Sequence, residues 1–530
     1  MIDSKTPDLK MLLKDICGIV TNPKDYFEIA AAVESLGYND QMVKNCFGYE
    51  DVFVLSQEIF KTIQKSYISN EYSDKKNVTR SKQPELFWGA FRGIFSVLPM
   101  IISMLSGFLL NFSLWSFVDK NDSGVEKATA IAFSTILSMV IAGGFSQAFL
   151  RKAYGFVEQK STRKIWSLYN FYFKKGLVTA LYLAVLISCL AIISNIYRIE
   201  NIIIFSVYFL LLTAVWLCMP ILNIYKAEAV FALNLSFSIY LVFFLKSFFG
   251  INIIVSQITA MISFLIIHLM LVRGFLSLVS IIKKEKAESF SYNPRLLIDA
   301  YITVPYLIYG FLYYILIFMD RLIAWSANIK YILEPVLRMK GEYDLGMNWG
   351  IFVIIIPSIF IEVFTRIFIN KIFVSSKFFS LEKEEDFKKT NVKSFSVLII
   401  IFSAICVIGA IISLGAINYS VFKWGIALNP YYSDISRNVF YVSIIGYIFI
   451  VGGLLSNIYL LYLSQGKTLM RILMISIAIN FIVGFILTRI FEAYFACIGF
   501  LAGAVAFFVL STYYTLFVIK KLDYYLYINK

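Results

Sequence analysis

LLIDAYITVPYLIYGFLYYILIFMDRLIAW, residues 296–325, and GMNWGIFVIIIPSIFIEVFTRIFI, residues 346–369, decide how this chain reads. Each exceeds the ~20 apolar residues a helix needs to cross a bilayer. Between them lies a polar stretch holding Glu334-Pro335, Arg338, Lys340, Glu342 and Tyr343-Asp344. The pair reads as two membrane-spanning helices joined by an external loop, 326–345. Asp320-Arg321 sits near the far end of the first helix, and Glu362 and Arg366 lie in the second. A charge facing lipid costs a few kcal/mol or more, so these groups are expected to face a bundle interior or a wet cavity. Glu362 precedes Arg366 by four residues, the favourable order for a pair on one helix face. Arg366 can snorkel to headgroups further than Glu362 can. The pair is therefore expected to face inward, at the cytoplasmic mouth of a path.

Working outward, six similar apolar runs precede residue 296, at 88–117, 127–149, 175–197, 200–222, 227–249 and 252–280. Four more follow, at 394–417, 437–463, 468–488 and 493–519. The fold class is an all-α polytopic membrane protein, with about twelve transmembrane helices in two six-helix bundles. Residues 84–280 form the first bundle, 281–295 a cytoplasmic connector, and 296–530 the second bundle and C-terminal tail. Residues 1–83 are different: near neutral, with apolar residues at helical spacing and Gly37 and Gly48 placed as helix stops. They read as a small cytoplasmic helical module followed by a polar linker.

Composition agrees. The chain is 59% hydrophobic and 15% charged, with a mean hydropathy of +0.76. A net charge of +14 would suggest nucleic acid in a soluble protein. Here the Lys and Arg gather in connections on one side of the membrane, roughly threefold over the other, which sets topology. The expected location is a bacterial cytoplasmic membrane, multi-pass, with both termini cytoplasmic, membrane lipids as neighbours and no nucleic acid as partner. Six Cys without a CxxC, and a single His268 inside a span, give no metal site. No GxxxxGK[ST], GxSxG or HExxH occurs, so neither an enzyme nor a cofactor is expected.

Four places resemble the G subunit of the Pel exopolysaccharide export machinery, a branch of the multidrug/oligosaccharidyl-lipid/polysaccharide (MOP) flippase superfamily. They are Met319-Asp320-Arg321-Leu322-Ile323-Ala324-Trp325, Tyr343-Asp344-Leu345-Gly346 running on to Ile356-Pro357, Lys226 to Phe275, and Asn438 to Tyr525. After Pro357 the family tends to carry Arg-Ile-Glu, where this chain has Glu362 and Arg366. The resemblance implies a MATE/MOP-like fold. It further implies a transporter that moves a growing, amino-sugar-rich polysaccharide with a cytosolic glycosyltransferase and other membrane subunits.

A polar glycan needs a wet path, whose candidate residues are Asp320, Arg321, Asp344, Glu362, Arg366, Asn234, Gln257 and Asn480. The competing reading of each Asn or Gln is interhelical glue worth about 1 kcal/mol. Within transport, a lipid-linked oligosaccharide flippase or a drug/cation antiporter fits the same plan. From another class, a non-transporting scaffold of a glycan synthase complex fits too. Charges facing a cavity favour transport, and charges at helix contacts suit a scaffold. Topology is tested by reporter fusions. Those after Lys530 and within 283–295 should report cytoplasm, and one within 326–345 the outside; an external C-terminus overturns the orientation.

Overall fold

The computed structural model describes residues 25–60, 122–158, 161–195, 197–282, 296–327, 337–377, 384–424, 432–522 and 524–525, with Leu12, Ile16, Leu98 and Ile102. No strand occurs among them. The chain divides into two compact units, Met1–Trp88 and Gly89–Lys530.

The first unit contains α1 (Tyr26–Ser35), α2 (Asp40–Phe47) and α3 (residues 52–60). Short polar side chains start each one. Asp25 accepts from the Glu28 amide at 3.0 Å, Asn39 from Met42 at 2.9 Å and Asp51 from Val54 at 2.7 Å, satisfying N–H groups that the first turn leaves open. Ile29, Val33, Val43, Val52, Leu55 and Ile59 form its core.

The second unit runs α4 (Asp122–Glu158), α5 (Thr162–Ser194), α6 (Ile199–Leu217), α7 (Met219–Tyr225), α8 (Glu228–Phe249) and α9 (Ile253–Ile282). It continues with α10 (Leu296–Trp325), α11 (Gly341–Ile351), α12 (Ile355–Lys377), α13 (Glu384–Trp424), α14 (Asp434–Tyr462), α15 (Gly466–Ile490) and α16 (Ala496–Lys520). Among the described residues, 11 helical stretches are long and apolar enough to cross a membrane. Apart from Leu98 and Ile102, the expected span 88–117 lies outside the described residues. Large apolar side chains stand exposed along α5 (Leu186, Leu190, Ile193) and α13 (Ile400, Ile408, Ile411), a surface suited to hydrocarbon and not to water.

Two expectations are corrected. The external loop was expected to run to residue 345, but α11 begins at Gly341, so Glu342, Tyr343 and Asp344 are helical. Acidic residues suit a helix start, and their polarity mimics a loop. The third span, expected from residue 175, belongs to a helix that already begins at Thr162. Its first turns are charged but still helical.

Proline sets two breaks. Pro220 occupies the second position of α7, where α6 has just ended. A 3-10 turn, Phe352–Ile354, separates α11 from α12 just before Pro357. Each proline lacks the N–H that would bond four residues back, and its ring crowds that carbonyl. Pro305 is carried inside α10.

Two aromatic-rich cores result. One, with Phe149, Phe209, Phe231 and Phe264, belongs to α4–α9. The other, with Trp325, Tyr343, Tyr447, Phe500 and Phe507, belongs to α10–α16. The two halves meet where α4 packs on α10. A Cβ on Gly310 would strike the Gly143 carbonyl and come within 2.7 Å of Gly144 Cα. Small residues let the two backbones touch, as membrane helix packing requires.

On the face that carries the basic connections, Arg151 donates to Ser464 Oγ at 2.8 Å and stacks on Tyr306, while Lys152 pairs with Asp299. On the opposite face, the Leu337 and Met339 amides donate to Tyr197 OH and Thr129 Oγ1 at 3.1 and 3.0 Å. The halves are thus tied at both ends of the α4–α10 seam. Gly310→Val should lower the detergent melting temperature, at a cost of about 1–3 kcal/mol. Gly415→Ala, where an added Cβ meets nothing within 4 Å, should melt like the parent. Equal melting of both variants would remove the close contact at this seam.

Candidate functional site

The far end of α10 and the start of α11 bring together what the sequence separates. Tyr343 OH donates to Asp320 Oδ2 at 2.6 Å. Trp325 Nε1–H donates to Asp344 Oδ2 at 2.8 Å, and Arg321 Nη2 donates to Asn348 Oδ1 at 2.8 Å. Asp344 and Asn348 are one turn apart on α11, so a single helix face answers both Trp325 and Arg321. Asp320 is 0% exposed, Tyr343 1% and Asp344 3%. Arg321 also stacks on Phe318, 5.1 Å from its ring centre. Behind this face, Gly350 lets α11 press on Ser443 and Tyr447 of α14.

Chemically this gathers two carboxylates and one guanidinium, hydrogen-bonded to a phenol, an indole and an amide, while Asp320 Oδ1, Asp344 Oδ1 and Arg321 Nε stay buried without a hydrogen-bond partner. It lies at a contact between helices. Such a network holds α10 to α11, because losing one member strands a buried charge, at about 3–5 kcal/mol.

Glu362 and Arg366 are elsewhere. They sit 18 residues or more beyond Asp344 in the chain, roughly 27 Å further along the helical path at 1.5 Å per residue. Arg366 Nη2 donates to Glu362 Oε1 at 2.8 Å, and the side chains are 40% and 33% exposed. The pair is formed and only half buried, on the face of the basic connections. Tyr154 of α4 lies within electrostatic reach of Glu362, and so does Tyr462 of α14.

The amide candidates tie helices together. Asn234 Nδ2 donates to the Phe264 carbonyl at 3.0 Å, joining α8 to α9. Tyr208 OH donates to Gln257 Oε1, joining α6 to α9. Asn480 Nδ2 donates to the Leu316 carbonyl at 3.3 Å, joining α15 to α10. His268 is buried and stacked on Phe264, with ring centroids 5.8 Å apart. Among the described residues no group of three or more His, Cys, Asp or Glu could hold a metal ion.

Sequence reading paired Glu362 with Arg366 through their spacing. It did not find Tyr343, Asn348 or Trp325 as the partners of Asp320, Arg321 and Asp344. It also did not find Lys152–Asp299, whose members are 147 residues apart. The one local signal was Trp325, five residues after Asp320 at the end of the same helix.

The comparisons with known proteins agree with this architecture. The family described as PelG, exopolysaccharide exporter (EPS-E), matches residues 89–527. No curated protein matches the chain. Among solved structures, a MATE bound to MaL6 aligns with a TM-score of 0.51 at 11% identity, covering 82% of this chain and 96% of that one. An outward-facing multidrug resistance MATE family transporter of the MOP superfamily aligns with a TM-score of 0.50 at 11% identity, with the same coverage. At such identities the likeness shows the fold, which is the MATE/MOP transporter fold. The matched family is one of transporters and not of enzymes.

Double-mutant melting tests the α10–α11 network. Tyr343→Phe should cost about 1–3 kcal/mol, because Asp320 loses a donor. Arg321→Met should cost about 3–5 kcal/mol, because two carboxylates stay buried without their cation. Arg321→Met combined with Asp344→Asn should recover part of that loss. Strict additivity would show that the two residues do not interact.

Proposed function

The chain belongs to the PelG exopolysaccharide exporter family, and from that premise we propose that it carries a growing, amino-sugar-rich polysaccharide across the bacterial cytoplasmic membrane. The path runs between the two halves. The observation that carries this reading is the contrast between the two charged clusters. Asp320, Arg321 and Asp344 are sealed between helices, and in this reading they anchor α10 to α11. Glu362 and Arg366 are half exposed, within reach of groups from both halves. A cavity mouth places charges this way, and a helix contact does not.

The basic face is then the cytoplasmic one, with both termini on it. The mouth at Glu362 and Arg366 receives the glycan from a cytosolic glycosyltransferase that lengthens it, and other membrane subunits complete the export complex. Residues 1–83 form a cytoplasmic module, 84–280 and 296–530 the two bundles, and 281–295 their connector. Lys152–Asp299 and Arg151–Ser464 close the inner end of the seam, and the segment around Leu337 and Met339 closes the outer end. Asn234, Gln257 and Asn480 serve as interhelical ties and not as substrate contacts.

Glu362→Gln should keep the fold and lower glycan export several-fold. Stability should change by less than about 1 kcal/mol in Glu362→Gln and in the Glu362→Ala/Arg366→Ala double variant, because half-exposed pairs contribute little. Detergent melting beside a secretion assay reads both. Export at the parent level in both variants would remove the pair from the path.

A further inference from the structure

The mouth holds more than the Glu362–Arg366 pair. Tyr154, one turn before the end of α4, is 56% exposed, and Tyr462, the last residue of α14, is 60% exposed. Arg151, one turn before Tyr154, donates to Ser464, two residues past Tyr462, at 2.8 Å, so the ends of α4 and α14 meet. Tyr459, one turn before Tyr462, donates to the carbonyl of Phe364, which lies between Glu362 and Arg366 in the chain, at 3.2 Å. These bonds gather the end of α4, the end of α14 and the Glu362–Arg366 turn of α12. The two open rings therefore border the mouth, one from each half, with the ion pair in the same neighbourhood.

We propose that Tyr154 and Tyr462 are stacking platforms of an oligosaccharide-binding site, with Glu362 and Arg366 as its hydrogen-bonding pair. This rests on the exporter reading above and names the groups that first hold the glycan. A pyranose ring has one face of axial C–H groups and a rim of hydroxyl and N-acetyl groups. The apolar face lies on an aromatic ring, whose negative face attracts the slightly positive hydrogens. The carboxylate accepts from rim hydroxyls and the guanidinium donates to hydroxyl or acetyl oxygens, in charge-assisted bonds roughly twice as strong as neutral ones.

Stacking tolerates sliding, because it has no fixed donor and acceptor positions. A chain of like units can move from one platform to the next without breaking a set of directional bonds at every step. Since the platforms stand on different halves, any rotation of one half against the other changes their spacing. Bound glycan and the relative position of the halves are therefore linked.

The test uses full-length protein in detergent, titrated calorimetrically with an N-acetylated amino-sugar pentasaccharide. It is joined to a secretion assay in a strain lacking the chromosomal copy. The parent should bind the pentasaccharide. Tyr154→Ala and Tyr462→Ala should each weaken binding about tenfold and lower export, while Tyr154→Phe and Tyr462→Phe, which keep the ring, should stay within about threefold of the parent. Both side chains are exposed, so the Ala variants should melt with the parent. Ala variants that bind and export like the parent would overturn the platforms and leave the exporter reading standing. The same holds for a parent that restores export yet binds no pentasaccharide. Normal export by the strain without this chain would overturn the exporter reading itself, and the site with it.

Discussion

In hydrocarbon a polar group must find its partner inside the protein, and this constraint organises the structure. Water cannot complete a broken hydrogen bond there, so each unsatisfied group costs several kcal/mol. The second half meets part of the demand with one network, which still leaves Asp320 Oδ1, Asp344 Oδ1 and Arg321 Nε buried without partners. Trp325 answers Asp344, Tyr343 answers Asp320, and Asn348 answers Arg321. Because all three bonds run between α10 and α11, the geometry of each helix is specified by the other. The amides of Asn234 and Asn480 do the same on a smaller scale, each capturing a carbonyl of a neighbouring helix.

The same constraint explains what the sequence makes legible. The need to bury about 30 Å of helix in lipid writes itself as apolar length, so 296–325 and 253–282 are read almost to the residue. Pairing at a spacing of four is equally local, and Glu362–Arg366 follows from it. Tyr343 and Asp344 are misread as loop because a polar helix start and a polar loop have the same composition. Burial is what distinguishes them, and burial depends on α14, whose Ser443 meets Gly346 of α11 from 97 residues away in the chain. The grouping around Glu362 is invisible for a related reason. Tyr154 and Tyr462 are ordinary interfacial tyrosines until the fold sets them near Glu362.

The seam between the halves is built from two kinds of contact. In the middle, Gly143, Gly144 and Gly310 allow backbone contact that no side chain can replace. At the ends, the ties are polar and exchangeable: Lys152 with Asp299, Arg151 with Ser464, Thr129 with the Met339 amide. Packed glycines resist separation but tolerate rotation, whereas hydrogen bonds at the rims can be traded for water when that rim opens.

The 3-10 turn at Phe352–Ile354 has a mechanical consequence. It lies between the stretch of α11 clamped by Tyr343, Asp344 and Asn348 and the stretch of α12 bearing Glu362 and Arg366. Pro357 denies the Val353 carbonyl its usual amide, so flexing here sacrifices less helical bonding than flexing anywhere else along that path. Glu362 is eight residues past Ile354, a lever arm of about 12 Å. Ten degrees of bend at the break swings the pair sideways by about 2 Å, close to the reach of one hydrogen bond, while the clamped end stays still. One transmembrane segment thus acts as a fixed post and a short pivoting arm.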